Sequence, residues 1–390
     1  MDKNKQNKIF FLSTYFIMFI TGLGLLSTGA ILPEIVGDFQ IGYDMAGVLL
    51  SLQATGNLTA VVVSGYLLDI LGRKIILLAG SSMLAIGFLG IAFVPYASLI
   101  FVFIFFSGCG WGINNIVSGI TNDITGGSAA HLNRLHIFFA VGGFTAPFFV
   151  VFVDYIGFNW RVVAAVIGLL AVISVIIISL IKIPLPLPKE TKSRVSFEAF
   201  RHLRYYIFIA IQFTYAAVET VMNGWITTYF QGTGILTNIE AKTVLSLIWI
   251  SIMVGRIIIS VFGKNIKKEH ILVACSLIVL IFSTLLIRVN SLIPIAVCVF
   301  ALGLGLSALI PTNLANSAVI TSGSGVAMGV LLSSGGLGAA VGPAVTGVIA
   351  ERLSLNASMW VAVGFALILL IMAIINNIFG RKIKNEVHSN

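Results

Sequence analysis

Twelve stretches of this chain are apolar for about 20 residues each, long enough for a helix rising about 1.5 Å per residue to cross the hydrocarbon of a bilayer. They fall at 9–33, 46–68, 75–95, 98–121, 134–154, 161–183, 205–230, 241–262, 271–288, 291–313, 323–349 and 356–379. Of the 390 residues, 58% are hydrophobic and 9% charged, against roughly 25% charged in soluble proteins. So few ionisable side chains cannot cover a water-facing surface, and the expectation is an all-α integral membrane protein of twelve transmembrane helices. The first stretch, roughly Ile9 to Leu32, is too long for a signal-peptide core and has no small-residue cleavage site, so it reads as a retained span.

The formal charge of +9 is explained by where the cations lie. An even number of spans puts both termini on one side. Eighteen Lys and Arg fall at the termini and in the loops of that side, four (Arg161, Lys242, Arg288 and Arg352) fall on the other, and Arg256 lies within span eight. The basic side is the cytoplasmic one, which places both termini in the cytoplasm of a cell-membrane protein. The same sorting leaves no basic groove for nucleic acid.

The longest polar break carries Pro184, Pro186 and Pro188 and then a run of charges. It divides the chain into a six-helix bundle at 1–183, a cytoplasmic linker at 184–204 and a second bundle at 205–390. The halves read as diverged copies: Gly142-Gly143 with Pro147 is echoed by Gly335-Gly336 with Pro343, and Trp160 by Trp360, nearly 200 residues on in each case. The fold expected is therefore two pseudo-symmetric six-helix bundles.

An ionisable group in hydrocarbon costs roughly 2.5–3.5 kcal/mol on insertion scales, so each needs a reason. Glu219 is the carboxylate near the middle of a span. With Gln212, Tyr215 and Asn223 it recurs at offsets of three and four, which share one helical face. It reads either as a proton carrier or as a structural acid satisfied by a neighbouring helix. His136, near the start of span five, is a second proton-shuttle candidate, with a packing role as the alternative.

Further polar positions are Gln53 and Asn57 in span two, Trp111, Asn115 and Asn122 in span four, and Asn313 in span ten, with Trp225 and Trp249 as aromatic candidates. Amides that both donate and accept, beside aromatic faces, suit a small polar or polyhydroxylated solute. The competing reading is hydrogen-bonded glue between helices. Cys109, Cys275 and Cys298 sit in apolar runs and form no C-x-x-C pair, and the five histidines are dispersed. No metal site, cofactor or enzymatic constellation is expected. Gly108-x-Gly110-x-Gly112 lacks the lysine of a phosphate loop and serves close helix contact instead.

The most specific local pattern is Gly65-Tyr-Leu-Leu-Asp69-Ile-Leu-Gly72-Arg73-Lys74. It resembles the G-x-L-x-D-x-x-G-R-K loop of the major facilitator superfamily. In that family the loop latches the halves on the cytoplasmic side, so the resemblance implies a latch of Gly65, Asp69, Gly72, Arg73 and Lys74, with Arg256 added, and a close helix crossing at Gly65. Its natural counterpart is the start of span eleven near Gly323 and Gly325. Within the superfamily the chain is similar to the fucose/proton symporter-like branch, through Gly108–Gly112 with Asn115 and Asn122, Leu132-Asn-Arg-Leu-His136, Trp160-Arg161, the Tyr215, Glu219, Trp225 and Tyr229 set, and Pro311. That resemblance implies a monomeric secondary active transporter importing a sugar or related small solute by alternating access with a proton. Na⁺ is the alternative coupling ion. The acids of that branch in spans one and four have no match here. Efflux by antiport is the rival function, and the Gly-Pro-x-x-Gly-Gly pattern of the antiporters is broken by Ala146-Pro147-Phe148-Phe149.

Overall fold

The computed structural model describes residues 3–125, 129–184, 197–263, 266–321 and 324–388, with the side chains of residues 3–6, Asp69, Ala129, Ala130, Gly325 and 381–388 outside that description. Most of the linker proposed at 184–204 and the Gly323 and Gly325 positions therefore lie outside the described residues or side chains. Among the described residues the chain is helical with no strand, and twelve helices are long and apolar enough to cross a membrane. It separates into two compact units, Met1–Glu190 and Thr191–Asn390.

The first unit holds α1 (Lys3–Ala30), α2 (Leu32–Phe39), α3 (Tyr43–Leu71), α4 (Arg73–Phe93), α5 (Ala97–Asn114), α6 (Ile116–Thr125), α7 (Ala129–Tyr155) and α8 (Trp160–Leu180). The second holds α9 (Leu203–Gly232), α10 (Asn238–Phe262), α11 (Lys268–Leu286), α12 (Leu292–Ser307), α13 (Leu309–Thr321), α14 (Gly325–Arg352), the short α15 (Leu355–Ser358) and α16 (Trp360–His388).

Local chemistry sets the helix ends. Gly72 separates α3 from α4 at φ 79°, a left-handed conformation that only glycine adopts at little cost. The Asn159 side chain accepts from Arg161 N at 3.1 Å to start α8. Thr237 and Glu240 form a reciprocal capping box that starts α10.

Spans four and ten, each expected as one helix, are broken in two. α12 gives way to α13 at Ala308 because Pro311 has no N–H to continue the ladder. α5 gives way to α6 at Asn115, after Gly112 and Asn114, both weak helix formers.

Small residues bring the helix backbones together, and the same crossings occur in each unit. In the first, a Cβ on Gly22 would strike the Phe139 carbonyl, and one on Gly142 the Phe19 carbonyl, so α1 and α7 touch backbone to backbone. In the second, Gly338 lies equally tight on the Phe213 carbonyl, joining α14 to α9. Likewise Gly56 and Gly108 close α3 on α5, while Gly255 and Gly303 close α10 on α12 against Ser307 and Ser251. Without a hydrophobic drive between helices in lipid, this close packing is the main source of association. Gly65 takes no part: a Cβ there would meet nothing within 4 Å, which corrects the expected close crossing at that residue.

Candidate functional site

The midpoint of α9 carries the most distinctive chemistry. The Tyr215 hydroxyl donates to Glu219 Oε1 at 2.8 Å, the i to i+4 spacing that puts the two one turn apart on the same face. Tyr215 is buried and Glu219 half-buried. One turn further, the half-buried Asn223 accepts through Oδ1 from Trp249 Nε1 of α10 at 3.3 Å. That bond sets the level of α10 against α9. The two helices run antiparallel across the turn at Thr233–Thr237, so Arg256, seven residues past Trp249, lies within about 5 Å of Glu219 along the helix axes and nearer still to Tyr215. Its positive charge bears on both residues. Arg256, expected as part of a loop latch, is the cation whose charge bears on this carboxylate.

The other amide candidates in this unit are spent on packing. Asn313 Nδ2 donates to the Phe208 carbonyl at 3.1 Å and to Gln212 Oε1 at 3.3 Å, tying α13 to α9, and both residues are buried. Trp225 is fully buried in the body of the unit.

In the first unit Gln53 has the same duty. Its Nε2 donates to Thr28 Oγ1 at 3.0 Å and Ser107 Oγ at 3.2 Å, fastening α3 to α1 and α5. Asn57, Trp111 and Asn115 remain half-buried, and Asn57 Nδ2 has no hydrogen-bond partner among the described residues. Asn122 and His136 are exposed. Asn114, absent from the expected set, is the buried asparagine of this helix and donates to Thr21 Oγ1 at 3.1 Å.

Arg73 Nη2 pairs with Asp123 Oδ2 of α6 at 2.9 Å. Lys74 Nζ donates to the Ser179 and Ile181 carbonyls at 2.7 and 3.1 Å, covering the negative end of α8. Both residues brace the start of α4 within their own unit. The Asp69 side chain lies outside the described residues.

The second unit answers with Lys268 Nζ on the Ala315 carbonyl at 2.8 Å. Beside it Arg204 donates to Glu269 Oε1 at 2.8 Å, Asn376 Oδ1 at 2.9 Å and Asn316 Oδ1 at 3.4 Å. This four-helix cluster was not foreseen, because its members lie in different spans and share no sequence spacing. Lys242, counted among the four cations of the non-cytoplasmic side, is fully buried within α10. The three cysteines are free and buried, and among the described residues no three His, Cys, Asp or Glu gather as a metal site.

Twelve apolar helices in two units built alike, with two of the crossing segments broken, make this a multi-pass membrane protein. The sequence profile of the Major Facilitator Superfamily matches residues 14–292, and the chain belongs to that family, which makes it a transporter rather than an enzyme. No curated protein matches it in sequence. Among solved structures, it is similar to a bacterial homolog of the human lysosomal transporter Spinster in its inward-facing and occupied conformation, with 14% identity, 98% of each chain covered and a TM-score of 0.78. It is also similar to the nucleoside transporter NupG, with 14% identity, 94% of this chain and 98% of that one covered and a TM-score of 0.77. The POT family transporter PepTSo follows with 12% identity, coverage of 95% and 98%, and a TM-score of 0.71. At these identities the likeness establishes the fold.

Proposed function

We propose that this chain is a proton-coupled secondary active transporter that imports a small polar solute, a sugar or related compound, by alternating access. It works as a monomer in the cell membrane with both termini cytoplasmic, and its halves are the bundles at 1–183 and 205–390 joined by the linker at 184–204. The observation that carries this reading is the Tyr215–Glu219 pair: a half-buried carboxylate, held by a hydroxyl at 2.8 Å, in the middle of an apolar helix. An acid in that setting is the natural carrier of a proton. In the first unit the half-buried Asn57, Trp111 and Asn115 offer amides and an aromatic face suited to a hydroxylated solute, and in the second unit the half-buried Asn223 offers a further amide. The latch role of this loop is part of the proposal; Arg73 on Asp123 and Lys74 on the end of α8 fix the start of α4 within the first unit.

The test is transport in proteoliposomes. Glu219→Gln should abolish accumulation driven by a pH gradient while sparing counterflow exchange, because the amide keeps the shape and loses the titrating proton. Unchanged accumulation removes Glu219 from coupling. Resistance of a sensitised host to lipophilic cations upon expression would replace import with efflux.

A further inference from the structure

Arg256 is an exposed guanidinium six residues inside the end of a membrane-crossing helix, and among the described residues it makes no hydrogen bond and no ion pair. A cation so placed normally pairs with an anion or lines an aqueous path. Its charge bears on Glu219 without direct contact, and Glu219 Oε1 is already held by Tyr215. The other charges of the unit lie at helix ends: α12 has none, and α11 carries Lys268, Glu269 and His270 in its first turn, with Glu269 paired to Arg204 at 2.8 Å. α13 has no ionisable side chain and α16 none before Arg381, while α14 has only Glu351 and Arg352 at its far end. On α10 the remaining charges, Glu240 and Lys242, lie near the opposite end of the helix.

We propose that Arg256 receives the carboxylate of the transported solute, so that the substrate class is a hydroxylated organic acid rather than a neutral sugar. The proposal rests on the proton-coupled reading of Glu219 and gives it a physical cause. With Glu219 ionised and Arg256 charged, the pair sums to zero. A solute carboxylate adds one negative charge within the membrane-crossing region, and a proton taken up from water onto Glu219 restores neutrality. The guanidinium, relieved of its field partner, is then free to bind the solute carboxylate through two parallel N–H donors. One proton enters with each carboxylate and is released with it on the other side. The cycle is electroneutral.

The experiment measures binding to the purified full-length protein by thermal shift, with matched pairs as probes: glucose and glucuronate, galactose and galacturonate, glycerol and glycerate. It then measures uptake of the tighter member into proteoliposomes with the membrane potential clamped by K⁺ and valinomycin. The expected result is preferential binding of a carboxylate, weakened about tenfold or more in Arg256→Gln, a loss of about 1.4 kcal/mol, and partly restored in Arg256→Lys. Its uptake should follow the pH gradient and ignore the potential. Tighter binding of the neutral members, no binding of any carboxylate, or equal carboxylate binding by wild type and Arg256→Gln overturns the proposal. The melting transition of each variant, measured without ligand, identifies any that has lost its fold. If a neutral solute is accumulated on the pH gradient through Glu219, the anion assignment fails and the coupling reading stands. If the carboxylate binds through Arg256 but Glu219→Gln accumulates it normally, coupling fails and recognition stands.

Discussion

Gln53 separates a ligand-binding amide from one that glues helices, and the structure supplies the magnitude. Replacing it with leucine, of similar volume, deletes the bonds to Thr28 and Ser107. The two hydroxyls are not stranded, because each also donates within its own helix: Thr28 Oγ1 to the Gly24 carbonyl at 3.2 Å and Ser107 Oγ to the Ile104 carbonyl at 2.7 Å. The loss is therefore of two acceptor contacts and no buried donor. Side-chain bonds between membrane helices average about 0.6 kcal/mol and reach about 1.7 at most, so Gln53→Leu should cost about 1 kcal/mol. The assay is reversible unfolding in mixed micelles, with a double-mutant cycle against Thr28→Val, whose coupling should be about 0.6 kcal/mol. Solute affinity should stay within about twofold of wild type, a change of less than 0.5 kcal/mol. A coupling near zero, or a solute affinity that drops tenfold, refutes the assignment of Gln53 to packing.

Trp160 Nε1 donates to Asp38 Oδ2 at 2.7 Å, and a hydrogen bond to a charged group contributes about 1.5–3 kcal/mol. Trp160→Phe should lose that amount in the same unfolding assay, and Asp38→Asn should add little further loss in the Phe background. At Gly72, φ 79° with ψ 163° imposes roughly 1–3 kcal/mol on any residue with a Cβ. Gly72→Ala should lower stability by that much while leaving solute affinity unchanged, as a binding measurement on the same sample would show.

The architecture was legible in the sequence because lipid imposes a rule of length and apolarity that needs no tertiary information. The mid-span acid followed from the same rule, and the Tyr215–Glu219 contact from helical periodicity. What stayed illegible depends on which helices meet. Gln53, Gln212 and Asn313 look no different in sequence from Asn57 and Asn223, yet the first three face neighbouring helices and are buried, while the last two stay half-exposed. The Arg204, Glu269, Asn316 and Asn376 cluster draws on four spans, and Lys242 sits one turn inside a helix whose start was expected a few residues later. The break at Ala308 was readable from Pro311, whereas that at Asn115 has only weak helix formers to announce it.

The internal repeat carries this reasoning one step further. Gly56 and Gly255 occupy equivalent places, each sealing the second helix of its unit against the broken fourth one. The next residue in each case points from an equivalent helix position: Asn57 in the first unit and Arg256 in the second. Asn57 Nδ2 is buried without a hydrogen-bond partner among the described residues, and the exposed Arg256 makes no hydrogen bond among them. Helix-packing glue would use those nitrogens, as it uses the amides of Gln53 and Asn313. Donors kept unspent at the same place in two diverged copies fit a ligand-facing position inherited by both, neutral in one half and cationic in the other. On the proposal made above, divergence at that position would account for a mid-span acid in the second unit alone: a guanidinium there calls for a counter-charge when no solute is bound, and an amide does not. Glu219 and Arg256 form one functional couple on this argument. Arg256→Asn, which copies the first unit's residue into the second, should therefore leave Glu219 without its charge partner and bind the carboxylate probes about tenfold or more weakly, and a variant that keeps wild-type carboxylate binding would break the couple.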